Sequence, residues 1–207
     1  MSKLIQQKLR RYPSRIISEG ELACLFKSSP DSRYARTKRA VQAGELIRIK
    51  RGLYVLDQEL TSHSLSLFEL AQRVYGPSYI SLESALSYHG LIPEAVYSIT
   101  STTIKRPKQF TTPLGNFSYF NLPEFNFFID VMPINEKNHH YLIASPWKAL
   151  LDYIYCYKKD YRNLLEVNED LRLDIEMLPP INTPEMDLLN EYYQNSRIQK
   201  FTKNLKG

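Results

Sequence analysis

Three features of the sequence predict an α+β fold. Apolar residues recur at helical spacing in several short segments, and the middle of the chain shifts to an alternation of period two. Near the start, a basic helix stops at Gly44 and runs into a two-stranded hairpin, L-I-R-I-K-R-G-L-Y-V-L. Two helices, a basic third helix and a hairpin in that order make residues 1–58 an N-terminal winged helix-turn-helix, with residues 59–207 following as a mixed α/β domain.

The elements follow from local signals. Leu4, Ile5 and Leu9 space a first helix that ends before Pro13. Ser18 opens a second helix with a capping box completed by Glu21, and Leu22, Leu25 and Phe26 form its apolar stripe. Ser29 caps the third helix, with Pro30 in the first position, where a missing N–H does no harm. That helix sets Tyr34, Thr37 and Val41 on one face beside Ala40, and Gly44 supplies its left-handed stop. Leu46–Ile49 and Leu53–Leu56 are strands turning at Arg51-Gly52, with alternation placing Arg48 and Lys50 opposite Ile47 and Ile49.

Beyond Thr61, Leu65–Val74 is an amphipathic helix ended by Gly76-Pro77, and Ser81 caps another that closes at Gly90. From Val96 onward, strands are expected at Tyr97–Ile104, Asn116–Asn121, Phe127–Met132 and Tyr141–Ala144. Ser145-Pro146 starts a strong helix, W-K-A-L-L-D-Y-I-Y, and further helices are expected near Asn163–Leu173 and Thr183–Lys203.

Charge is unevenly spread. Residues 1–56 hold 13 Lys/Arg and 4 acids, a net of +9, whereas the rest holds 14 basic and 18 acidic residues, a net of −4. Such asymmetry points to an anionic partner. Double-stranded DNA fits better than a membrane, because the basic segment is interrupted by turns and strands. Arg33, Arg36, Lys38 and Arg39 on the helix, with Arg48, Lys50 and Arg51 on the wing, are the candidate DNA-binding residues, since long cations reach phosphates and guanine edges. No run approaches the roughly 18 apolar residues of a membrane span. With no secretory signal at the N-terminus, a cytoplasmic protein is expected.

Other chemistry is thin. Cys24 and Cys156 read as reduced core thiols. His139-His140 point to opposite faces of a strand and lack ligand partners at useful spacing, so no metal is expected, nor any cofactor. Lys105-Arg106-Pro107-Lys108 is a cationic loop whose role, phosphate contact or solvation, stays open. Phe125, Phe127 and Phe128 read as a packing face. No phosphate-binding glycine loop or nucleophile elbow is present, so an enzyme is not expected. The alternative is a nuclease-like or RNA-modifying enzyme built on Asp130, Lys148 and Asp152 and targeted by the winged helix.

Four segments in order resemble one family: L-I-R-I-K-R-G-L-Y, G-P-S-Y-I-S-L-E-S-A-L-S-Y-H-G-L-I-P-E, T-P-L-G-N-F-S-Y-F and I-A-S-P-W-K-A-L-L-D. They are similar to the AbiEi-type antitoxins, the transcriptional-regulator antitoxins of type IV (abortive infection) toxin–antitoxin systems, over about residues 15–160. The resemblance implies a winged helix that represses its own operon by binding inverted repeats in the promoter. It also implies a second domain that counteracts a co-encoded nucleotidyltransferase-like toxin. The chain departs from the family at Trp147, where an acidic residue is usual, and at Thr37, where Leu is common.

Overall fold

The computed structural model describes residues 3–93, 97–136 and 138–205. Its first part runs α1 (Lys3–Arg10), β1 (Ile16–Ser18), α2 (Glu19–Phe26), α3 (Pro30–Gln42), β2 (Leu46–Lys50) and β3 (Leu53–Leu56). The strands make an antiparallel sheet in the order β1-β3-β2. Strand β1 carries no periodic signal, being three residues long; pairing of Ile16 with Val55 recruits it. The expected caps form: the Ser18 hydroxyl accepts from Glu21 N at 3.2 Å and the Glu21 carboxylate accepts from Ser18 N at 2.6 Å. Gly44 and Gly52 take the positive φ values, 74° and 77°, that the helix stop and hairpin turn require.

This sheet is buried on both faces. Ile17, Leu46 and Leu56 pack with Leu9, Leu22, Phe26 and Ala40 of the three helices. The side chains of Leu4 and Ile5 lie outside the described residues. On the other face, Ile16, Ile49, Leu53 and Val55 join a larger core containing Leu70, Ala71 and Val74 of α4 (Leu67–Val74). The apolar core is therefore continuous across residue 58. A salt bridge of 2.7 Å between Arg73 Nη2 and Glu21 Oε2 reinforces the junction.

The remainder comprises β4 (Ser78–Ile80), α5 (Leu82–Tyr88), β5 (Ser98–Thr103), β6 (Lys108–Thr112), β7 (Gly115–Asn121), β8 (Val131–Glu136), β9 (His139–Ala144), α6 (Pro146–Cys156), α7 (Leu164–Leu171), α8 (Thr183–Tyr193) and α9 (Ser196–Leu205). Its mixed six-stranded sheet has the order β6-β7-β5-β4-β9-β8. Register shows which face meets which helix. Tyr79, Thr102 and Phe120 are aligned neighbours on the face toward α6, where Tyr79 reaches Asp152 and Phe120 meets Tyr157. Ile80, Ser101 and Tyr119 lie on the other face, and the Tyr119 hydroxyl donates to Ala71 O of α4. Among the described residues, no helix is long and apolar enough to cross a membrane.

Several expectations are corrected. Residues 127–130 form turns, with Asn126 and Asp130 at positive φ, so the strand expected from Phe127 begins at Val131. The helix expected over Thr183–Lys203 is two, because Gln194 is left-handed (φ 46°) and the Asn195 side chain caps α9 by accepting from Arg197 N at 3.0 Å. Strand β4 is buried throughout and lacks alternation, and β6 was not foreseen. Val96, where the period-two region was expected to begin, lies outside the described residues. Cys24 is exposed, so it is no core thiol; both cysteines are free.

Ser81 gives the most informative correction. It occupies the N-cap of α5, but its hydroxyl makes no cap bond and donates instead to Asp152 Oδ2 at 2.6 Å. Asp152 is fully buried and also accepts from Tyr79 at 3.0 Å, Tyr193 at 2.5 Å and Lys148 Nζ at 2.6 Å. Lys148 is equally buried; burial pushes its ammonium below the ordinary value while Asp152 pushes back. Breaking such a pair strands a charge in the core. Asp152→Leu is expected to lower unfolding free energy by about 3–5 kcal/mol in urea titration, with Lys148→Met in the same chain recovering part of the loss.

The junction is expected to be acid-sensitive. Burial pushes the Glu21 carboxyl up, but hydrogen bonds from Ser18 and Tyr12 and the charge of Arg73 outweigh it, holding the group at about 2 against an ordinary 4.5. A carboxyl depressed by folding stabilises fully above its unfolded value, and that stabilisation is lost as pH falls from 4.5 towards 2. Acid titration of stability should show a flatter profile through this window for Glu21→Gln than for the parent protein.

Candidate nucleic-acid interface

The basic helix α3 presents a different face from the one its pattern suggested. Thr37 and Ala40 are buried, and Arg33, one turn before Thr37, sits half-buried on the same inner edge. Tyr34, expected on one face with Thr37 and Val41, is 70% exposed, because a step of 100° per residue carries 34 and 38 away from the buried line of 37 and 40, whereas Val41 stays partly buried against the core. Lys38 and Arg39 are exposed and Arg36 is half-exposed. Arg39 Nε donates to Ala35 O at 3.2 Å, along its own helix. Among the described residues, no carboxylate forms an ion pair with Arg36, Lys38 or Arg39.

Strand β2 brings a further cation to this face. Arg48 is exposed and pairs in register with Tyr54 on β3. A concavity of about 260 Å³ runs between helix and sheet, lined by Tyr34, Thr37, Lys38, Val41, Arg48 and Tyr54. It sets two cations beside an exposed ring, a combination suited to a phosphate backbone and to stacking. Arg51 lies exposed at the hairpin turn.

Lys50 goes elsewhere. The β2–β3 register shifts between Arg48 and Lys50, so Lys50 pairs with Leu53 and takes the sheet face occupied by Ile49 and Leu53. A bulge of this kind re-aims one side chain. Simple alternation had placed Lys50 with Arg48; the bulge instead turns its ammonium to Val74 O at the end of α4. Burial first, then the charges of Lys108 and Lys105, push Lys50 below the ordinary lysine value. Of the seven cations expected to act together, the structure therefore gathers Lys38 and Arg48 around Tyr34 and leaves Arg36, Arg39 and Arg51 outward. It draws Arg33 inward and assigns Lys50 to a second cluster with Lys105 and Lys108. Tyr34 was missed because a tyrosine at apolar spacing reads as core.

Other chemistry-bearing groups are held in structural roles. Asp130 does come near Lys148 and Asp152: it accepts from Ser145, and burial raises its carboxyl above the ordinary value. Lys148 and Asp152, however, have no exposed surface on which a substrate could sit. His139 is held on both ring nitrogens, by Glu69 at 3.2 Å and Ser64 at 2.8 Å, which pins the segment before α4 to β9; His140 pairs with Asn135 at 2.7 Å. Among the described residues, no group of three His, Cys, Asp or Glu is placed to hold a metal ion. A larger cleft of about 650 Å³ is lined by Glu83, Tyr97, Ser98, Thr100, Tyr157 and Asp170, whose carboxylates and hydroxyls do not suit a polyanion.

Compared with known proteins, the chain matches no protein-family model and no curated protein.

Proposed function

We propose that residues 1–58 are a winged helix-turn-helix that binds double-stranded DNA, and that the chain is a transcriptional autorepressor of the AbiEi type. The observation that carries this reading is the union of topology and charge. Helix, strand, two helices and a hairpin, with sheet order β1-β3-β2, hold up a cationic α3 whose Arg36, Lys38 and Arg39 form no ion pair with a carboxylate among the described residues. In such folds the second helix of the turn enters the major groove and the hairpin reaches backbone. Lys38, Arg39 and Arg36 take the groove role, and Arg48 and Arg51 the wing role.

The four family-like segments extend the reading to an antitoxin of a type IV system. Residues 59–207 then act on a nucleotidyltransferase-like toxin encoded beside it, and the inverted repeats of the shared promoter are the DNA target. The burial of Lys148 and Asp152 supports a binding protein over a nuclease-like enzyme.

Binding to a promoter fragment, followed by fluorescence anisotropy, should depend steeply on salt. With about five phosphate contacts, log K falls with log salt with a slope of roughly −4.5. The Lys38→Ala/Arg39→Ala variant should bind at least tenfold more weakly and discriminate less among sequences, whereas Arg48→Ala/Arg51→Ala should weaken binding to all sequences alike. A flat salt response, or undiminished affinity of the helix variant, would remove the assignment. For antitoxicity, the Lys38→Ala/Arg39→Ala chain supplied from a foreign promoter should still rescue cells expressing the neighbouring toxin. Failure of that variant alongside rescue by the parent would make protection a matter of repression only.

A further inference from the structure

The loop between β5 and β6 carries Lys105 and Arg106, and Lys108 opens β6, all three exposed. Lys105 Nζ lies 5.4 Å and Lys108 Nζ 5.7 Å from the ring centre of Tyr75, and Lys108 lies 4.9 Å from that of Phe110. Lys50, redirected by the bulge in β2, sits 6.0 Å from the same Phe110 ring. The two rings are neighbours, 5.6 Å between centres. Three ammonium groups from two separate stretches of chain thus converge on one aromatic pair.

What offsets their repulsion inside the protein is incomplete. Lys50 donates to Val74 O and Lys105 to Gly76 O, the carbonyls at and just beyond the end of α4. The ring faces supply further weak attraction. Among the described residues, no carboxylate lies within ion-pair distance of Lys50, Lys105, Arg106 or Lys108. Each ammonium carries three donors, so Lys50 and Lys105 retain two each after their carbonyl bonds. Converging cations with spare donors and no acidic partner call for an oxyanion.

We infer that Lys50, Lys105 and Lys108 form a phosphate-binding site at the junction of the hairpin and the larger sheet, occupied by a backbone phosphate of DNA. This rests on the DNA-binding reading above and deepens it: residues beyond 58 then touch the DNA directly. Lys50 immediately precedes Arg51 at the hairpin turn, so the site continues the contact made by the wing.

Amine acylation of the full-length protein, read by peptide mass spectrometry, tests it with a promoter duplex and separately with inorganic triphosphate. The duplex should protect Lys105 and Lys108 together with Lys38. Lys105→Ala/Lys108→Ala, at two exposed positions and expected to leave the circular dichroism unchanged, should make the salt slope shallower by about 1, the loss of one phosphate contact. If the duplex protects Lys38 while Lys105 and Lys108 react as in the free protein, and the double variant keeps the parental slope, the site is overturned and the DNA reading stands. If the duplex neither binds nor protects any lysine, the DNA reading fails. Triphosphate then decides the site: protection of Lys105 and Lys108 assigns it to free phosphates, and unchanged reactivity overturns it.

Discussion

The buried carboxylate of Asp152 is the constraint around which the larger part of this protein is arranged. A charge with no exposed surface must be met by donors from within, and the chain sends four: Lys148 one turn earlier on α6, Tyr79 and Ser81 at β4 and its end, and Tyr193 on α8. These attachments fix the helix to the sheet and the C-terminal helices to both. The Lys148 ammonium adds cation–π contacts with Tyr192 and Tyr193 at 4.4 and 4.7 Å. The arrangement has a local cost, since Ser81 gives up its own cap bond, leaving the Thr100 hydroxyl to accept from Ser84 N at 3.0 Å, and Leu82 adopts a positive φ of 52°. Local rules yield where a buried charge would otherwise go unmatched.

Helix α4 transmits that order to the N-terminal sheet. It packs against the larger sheet through Tyr119 and against Ile16, Ile49, Leu53 and Val55 on its other side. The small sheet therefore has no free face, and the position of α3 relative to the rest of the molecule is set by packing and the Arg73–Glu21 bridge. With that sheet closed, its cations have two exits: outward on α3 and Arg48, or sideways along the bulge, as Lys50 does. A proposed DNA surface divided between both exits follows from this geometry.

Charge distribution fits the same division. The ion pairs Lys159–Asp170 and Lys200–Asp160 neutralise cations within the C-terminal part, and Glu21, one of the four acids of the first 56 residues, is committed to Arg73 beyond them. Among the described residues, the outward cations Arg36, Lys38 and Arg39 of α3 form no ion pair with a carboxylate, which suits a partner supplying the counter-charge and makes their affinity sensitive to salt.

By itself the sequence determined whatever depends on near neighbours. The Ser18–Glu21 capping box, the Ser29-Pro30 start, the stop at Gly44 and the turn at Gly52 are local bargains between a backbone and side chains a few residues away, and each appears as read. The uneven charge was likewise legible as a count. Tertiary structure alone decided what depends on distant partners. Strand β1 exists because β3 accepts it, Ser81 abandons its cap because Asp152 lies 2.6 Å away, and the α8–α9 break turns on Gln194 taking a left-handed backbone. For the candidate site the division is the same. The identity of the cations was visible, but a single bulge moved Lys50 to Lys105 and Lys108, and the rotation of α3 exposed Tyr34. Side-chain direction depends on register and on what packs behind an element, and neither is encoded within the few residues a local pattern spans.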